Sequence, residues 1–331
     1  MSQFGSPAPA DATVSPPGTP GRVPGEAVPP SFRRLSLGTS VLALVLIAIG
    51  GSVRATDSGL ACPDWPRCFG LWIPPADLNI WIEHTHRLVA GVVVILLWVL
   101  SIWALRRFRS RADIVRPLLL ALVLVHVQAL LGALVVWHLL KAELVTAHLG
   151  MAMIVVGCLL IATVAAGSVP SRPGWSKLAK ASAAVTGLTF AQILVGGQVT
   201  GIGASLAFTD FPTMGGTMWP RIETAPQAFH VLHRGLGFGL FLAVTWLALV
   251  AVQHRKAATA AGTWTDSQRW LVKLPMWAAT LIVLQIVLGV ANLWTRTSYL
   301  TVIPHLAVAS WIWSVLLLQT VLAYRNAGDA A

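Results

Sequence analysis

Eight stretches of the chain are almost continuously apolar, and polar or charged segments separate them. They run over roughly residues 36 to 53, 80 to 105, 116 to 137, 144 to 168, 178 to 199, 228 to 252, 272 to 293 and 300 to 322. Each is close to the 20 or so residues a helix needs to cross about 30 Å of hydrocarbon, so the pattern predicts eight transmembrane helices. Residues 1 to 30 follow no period: they carry eight prolines among Gly, Ala, Ser and Thr, and no aromatic after Phe4. The expectation is a disordered tail through residue 34, not a signal peptide, since no apolar core precedes Arg33, nor a transit peptide, since Asp11 and Glu26 interrupt it.

Composition agrees with the pattern. The chain is 56% hydrophobic and 11% charged, with a mean hydropathy of +0.74, which excludes a soluble globular domain and implies an all-α polytopic membrane protein. Charge adds an orientation. Arg22, Arg33, Arg34, Arg325 and the clusters at 106–116, 172–180 and 255–273 hold sixteen of the 23 Lys and Arg, all on one side. The positive-inside rule places that side, with both termini, in the cytoplasm. Topology thus accounts for the net charge of +11 without a nucleic-acid partner. The other seven (Arg54, Arg67, Arg87, Lys141, Arg221, Arg234 and Arg296) fall at or near the outer face.

The chain also repeats itself. A shift of 146 lays residues 50–66 over 196–212, with Gly50, Gly51, Val53, Leu60, Ala61, Asp64 and Pro66 recurring. A shift of 157 lays 128–137 over 285–294 and 147–152 over 304–309. Four helices return a chain to the side it left, so the halves share one polarity, and the expected fold is two pseudo-symmetric four-helix bundles at 35–169 and 170–324, with a short tail at 325–331.

Four histidines, His86, His148, His233 and His305, sit four to six residues past the outer ends of the even-numbered runs, roughly 6 to 9 Å deep at 1.5 Å per residue. One pair per half at one depth is what two axial ligands of a haem between facing helices require; each alone would equally serve as an interhelical hydrogen-bonding group. His126 lies mid-helix at another depth, and His84 is on a different face from His86. His230 is one turn from His233, and the corresponding first-half residue is Glu83, one turn from His86. A carboxylate there could hold a proton or a water, or merely favour the helix N-terminus. Arg87 and Arg234 suit haem propionates or act as snorkelling anchors.

The stretch GGSVRATDSGLACPDWPRCFG, the Glu83-x-x-His86-Arg87 opening and the repeated histidine-bearing halves resemble the haem A synthase family, membrane oxidases of haem O, over residues 36 to 322. The resemblance implies a b-type haem on His233 and His305, and a catalytic first bundle with haem O as substrate at His86 and His148 and Glu83 beside it. The implied reaction is stepwise oxidation of one porphyrin methyl, through an alcohol and a hydrated aldehyde, to the formyl group of haem A. It also implies a haem O synthase upstream, terminal oxidase assembly downstream, and a quinone or other electron acceptor. Cys62 and Cys68 flank CPDWPRC in the first outer loop; they are expected to form a structural or redox disulfide, and two ligands are too few for zinc. The second half offers Phe208 and a residue near Gly215 instead. Asp64-Trp65 and Asp210-Phe211 are expected to cap each pocket as a turn or short helix; Arg54 and Asp57 are polar groups peculiar to the first half. Two other readings use the same histidines: a di-haem b-type cytochrome carrying electrons from quinol, and a haem-binding assembly factor.

Overall fold

A computed structural model describes residues 28–167 and 173–327, so most of the expected N-terminal tail and residues 328–331 lie outside the described residues. Eight helices carry the chain: α1 (Pro30–Ala55), α2 (Leu78–Arg107), α3 (Ala112–Trp137), α4 (Ala142–Gly167), α5 (Lys177–Gly201), α6 (Ala225–Ala260), α7 (Trp270–Trp294) and α8 (Tyr299–Arg325). All eight are long and apolar enough to cross a membrane, and the protein is a multi-pass membrane protein. Among the described residues the extended structure is confined to two isolated bridges, Cys68 with Leu71 and Met214 with Thr217.

Four of the helices start before their apolar runs at polar caps, and α1 starts at a proline. Pro30 opens α1, where a missing N–H costs nothing, so residues 30–34 are helical and the tail expected there ends sooner. Asp77 accepts from the N–H groups of Asn79 and Ile80 ahead of α2, and Thr224 and Gln227 form a capping box ahead of α6. Ser176 and Ser298 cap α5 and α8.

Helices α1 to α4 pack each on the next, and α1 closes on α4; α5 to α8 do the same, with α5 closing on α8. The first ring is filled by residues such as Leu97, Leu100, Leu118 and Leu159, the second by Leu240, Leu247, Ala278 and Leu316. Hydroxyl pairs stitch each closure: Ser36 and Ser40 of α1 meet Thr163 of α4 at 2.6 and 3.2 Å, and Thr186 of α5 meets Thr320 of α8 at 3.0 Å.

Between the rings, α1 touches α8 and α4 touches α5 and α8. Small residues permit this. A Cβ on Gly51 would come within 2.9 Å of Leu306, on Gly150 within 2.8 Å of Leu194, on Gly157 within 2.9 Å of Trp313, and on Gly201 within 2.7 Å of the Ala142 side chain. At the opposite end from the outer loops, Arg111 pairs with Asp113 at 2.9 Å, and Arg325 reaches the same carboxylate at 3.4 Å.

Candidate functional site

Capping fixes the register of the chemistry-bearing residues. Counting from Leu78, Glu83, His86 and Arg87 are the sixth, ninth and tenth residues of α2; counting from Ala225, His230, His233 and Arg234 hold the same places in α6. His148 and His305 are each the seventh residue of their helices. The four therefore lie about 9 to 12 Å in from the helix starts, farther than the apolar runs alone imply, because the helices begin before those runs.

Each histidine leans on a glycine of the preceding helix. A Cβ on Gly50 would meet His86 at 3.2 Å, on Gly132 His148 at 3.2 Å, on Gly196 His233 at 3.0 Å, and on Gly289 His305 at 3.3 Å. In each Gly-Gly pair of the repeat, one glycine faces its own ring's histidine and the next faces the other ring: Gly50 with Gly51, Gly196 with Gly197. Within each ring the two histidines stand on alternate helices, His86 on α2 with His148 on α4, and His233 on α6 with His305 on α8. Side-chain amides come from below. Gln192 donates to His233 Nδ1 (3.1 Å) and to its carbonyl (2.9 Å), Gln285 Nε2 lies 3.2 Å from His305 Nε2, and Gln128 donates to the His148 carbonyl (3.0 Å). The Nδ1 atoms of His148 and His305 are buried without a partner.

These residues fit an iron porphyrin. Paired imidazoles on facing helices, glycines where a larger residue would fill the cradle, and buried ring nitrogens with unused bonding capacity are what bis-histidine ligation asks of a bundle. His86 with His148, and His233 with His305, are the pairs that would hold it.

Above each pair lies a loop of one design. Asp64 accepts from the N–H groups of Phe69 (2.6 Å) and Gly70 (2.8 Å), and Asp210 from those of Gly215 (2.8 Å) and Gly216 (2.9 Å). All four donors have positive φ, so consecutive left-handed residues aim two N–H groups at one carboxylate. The Gly70 and Phe69 donors hold the Asp64 carboxyl below its usual value, and the Gly216 donor, with Thr213 and Gly215, does the same for Asp210. The expected cap is a turn at both places. The Cys62–Cys68 disulfide is formed, with Cα atoms 4.8 Å apart. The matching bridges make Met214, next to Gly215, the counterpart of Cys68.

Glu83 and His230 do the same job below these loops. Glu83 Oε2 accepts from Cys62 N–H at 2.8 Å, and His230 Nδ1 faces Phe208 N–H at 3.3 Å. Arg87 closes the first loop by donating to the carbonyls of Asp64, Arg67 and Cys62 (2.6, 2.6 and 3.4 Å) and to the Glu83 carboxylate. Arg234 repeats this with the carbonyls of Asp210, Thr213 and Phe208 (2.8, 3.1 and 2.9 Å) and with His230. Both arginines thus direct donors at loop carbonyls. His84, also buried, bonds the Trp72 carbonyl at 2.9 Å. His126 bonds its own helix, at Leu122, and sets its ring edge-on to Trp98 of α2. Arg54 pairs with Asp57 at 3.3 Å and reaches the Thr200 carbonyl at 3.4 Å, joining the two halves. Cys158 is buried and unpaired.

Sequence reasoning missed the glutamines as a set, although Gln128 and Gln285 both mark the repeat; each stands four residues before the glycine that cradles a histidine.

Comparison with known proteins bears on the same region. A family model described as cytochrome oxidase assembly protein, COX15-CtaA, matches residues 33–317. Haem A synthase of Shouchella clausii is 28% identical over 305 residues, covering 89% of this chain and 98% of that protein. The haem A synthase of Exiguobacterium sibiricum is 31% identical over 227 residues, 65% of this chain and 74% of its own length. That of Parvibaculum lavamentivorans is 25% identical over 317 residues, 77% and 90% respectively.

Proposed function

Because the chain belongs to the COX15-CtaA family of cytochrome oxidase assembly proteins, we propose that it is a haem A synthase, oxidising a methyl group of haem O to the formyl group of haem A. The observation that carries this reading is the pair of matching histidine cradles in which Glu83 stands where the second has His230. One cradle is then for chemistry and the other for electron transfer. Haem O is the substrate at His86 and His148, and a b-type haem at His233 and His305 supplies one-electron redox chemistry when bound.

The chain's own contribution is positioning and proton handling. His86 and His148 hold the substrate from facing helices, one turn below Glu83. Glu83 offers Oε1 and Oε2 to a proton leaving the methyl side, with Arg87 balancing the charge. With a quinone-type acceptor the added oxygen comes from water: one water supplies the formyl oxygen as four electrons and four protons leave the methyl group and that water, and the clasped loop over the cradle would limit how much solvent reaches that edge. In this reading both termini are cytoplasmic in a bacterial plasma membrane, a quinone or comparable acceptor takes the electrons, and a terminal oxidase receives the product.

Haem extraction and chromatography test the proposal, using a haem-O-producing host that expresses the wild type, Glu83→Ala or Glu83→Gln. The expected result is haem A from the wild type, while both variants keep the b-type spectrum and stop at haem O or the alcohol. Firm haem binding with no haem A from the wild type would instead establish an electron-carrying di-haem cytochrome.

A further inference from the structure

The two cradles differ in a second respect, one turn below the glycine that meets each histidine. In α3, α5 and α7 the glycine under the histidine is preceded at four residues by glutamine: Gln128 and Gly132, Gln192 and Gly196, Gln285 and Gly289. Residues four apart share a helix face, so the glycine admits the ring and the amide meets the same histidine from below. In α1 the corresponding pair is Leu46 and Gly50. Leu46 is half-buried and packs into the first core, where it has nothing to offer a ring nitrogen.

The consequence is uneven support. In the second ring both imidazoles meet an amide, His233 at 3.1 Å from Gln192 and His305 at 3.2 Å from Gln285. In the first ring Leu46 stands where α5 has Gln192, and Gln128 spends its amide on the His148 carbonyl, not on the imidazole. Each of the three glutamines keeps its Oε1 buried without a partner. A half-turn of the amide exchanges donor for acceptor, so Gln192 and Gln285 serve a ring lone pair or a ring N–H alike. An outer partner of this kind fixes the tautomer and orientation of a histidine ligand, and its loss typically weakens metal binding about 10- to 100-fold.

We propose that Gln192 and Gln285 lock His233 and His305 into a permanent haem site, whereas Leu46 leaves His86 a releasable ligand, making the first cradle the one that exchanges its porphyrin. This rests on the assignment of the two haem sites above. It matches what the two sites must do, since a substrate has to enter and a product leave, while a resident electron carrier has to stay. These glutamines are positioning residues, acting on haem only through the histidines.

Retention of each haem is the direct test. Protein purified in detergent from a haem-O-producing host is mixed with excess apomyoglobin, and the haem B remaining is separated from haems O and A by chromatography over time. The wild type is expected to hold haem B at least about tenfold longer than haems O and A. Gln192→Leu and Gln285→Leu should each shorten haem B retention about tenfold and leave the other pool unmoved, while Leu46→Gln should lengthen retention of haems O and A. Equal retention of both pools in the wild type, or haem B loss unaltered in both glutamine variants, overturns the lock. Should a glutamine variant fail to fold, Leu46→Gln decides alone, and unchanged retention of haems O and A sinks the proposal. A His233→Ala control separates the two levels. If that variant keeps its full haem B, the site assignment itself is wrong; if it loses haem B while the glutamine variants do not, only the lock is.

Discussion

Glu83 and His230 receive the same bond from the loop above them, which makes the difference between them a matter of chemistry more than of support. Glu83→His copies the second ring's residue into the first. It should leave the loop closed and the b-type spectrum unchanged, and remove haem A formation, as measured by pigment chromatography. Arg87 predicts the opposite. Arg87→Ala strips the three loop carbonyls of their donor and leaves the buried Glu83 carboxylate without its ion partner, so the loop should open. Faster reduction of the Cys62–Cys68 disulfide by a phosphine is the expected signature, with Arg87→Lys intermediate because a single ammonium cannot reproduce the fork. Glu83 was legible in the sequence through its one-turn spacing from His86. The arginines' contacts were not, because their partners are backbone carbonyls at positions whose side chains carry no trace of the contact.

Loops and helix pairs carry the next set of consequences. In the Asp64 turn, and in its Asp210 counterpart, N–H donors hold each carboxyl below the usual value of 3.8. A lowered folded pKa means the support is complete above that usual value and is lost as pH falls through the depressed one. Disulfide reduction by a phosphine should therefore be insensitive to loop opening down to about pH 4 and accelerate below it, and Asp64→Asn should remove that acid dependence from the first loop. At the helix pairs, a Cβ on Gly196 would stand 3.0 Å from His233, closer than the other three histidine contacts. Gly196→Ala is expected to displace the ring and lower haem B content, with Gly289→Ala milder at 3.3 Å; pyridine haemochrome spectra check both. The eight helices were readable from hydropathy alone, but their starts were not: Asp77 and Thr224 act through local hydrogen bonds that precede the apolar run, and so shift the whole register by two or three residues.

At the level of the whole molecule the two rings are held together by close approach at glycines, a feature the sequence showed as repeated Gly-Gly pairs without showing which way each glycine faced. Gly201 is the tightest of them, since a Cβ there would also come 3.0 Å from the Ala142 backbone, which cannot rotate away. Gly201→Ala should cost about 1–3 kcal/mol and lower the thermal midpoint in detergent. The cluster at the opposite end from the outer loops bears on how the protein is made. Asp113 opens α3, in the first half of the chain, and Arg325 ends α8. During synthesis the first ring can gather around its own histidines while Asp113 has only Arg111. Its second cation emerges with the final turn of the last helix, so this clasp closes only after the second ring has been translated, and a ribosome that stalls within α8 leaves the early half unfastened.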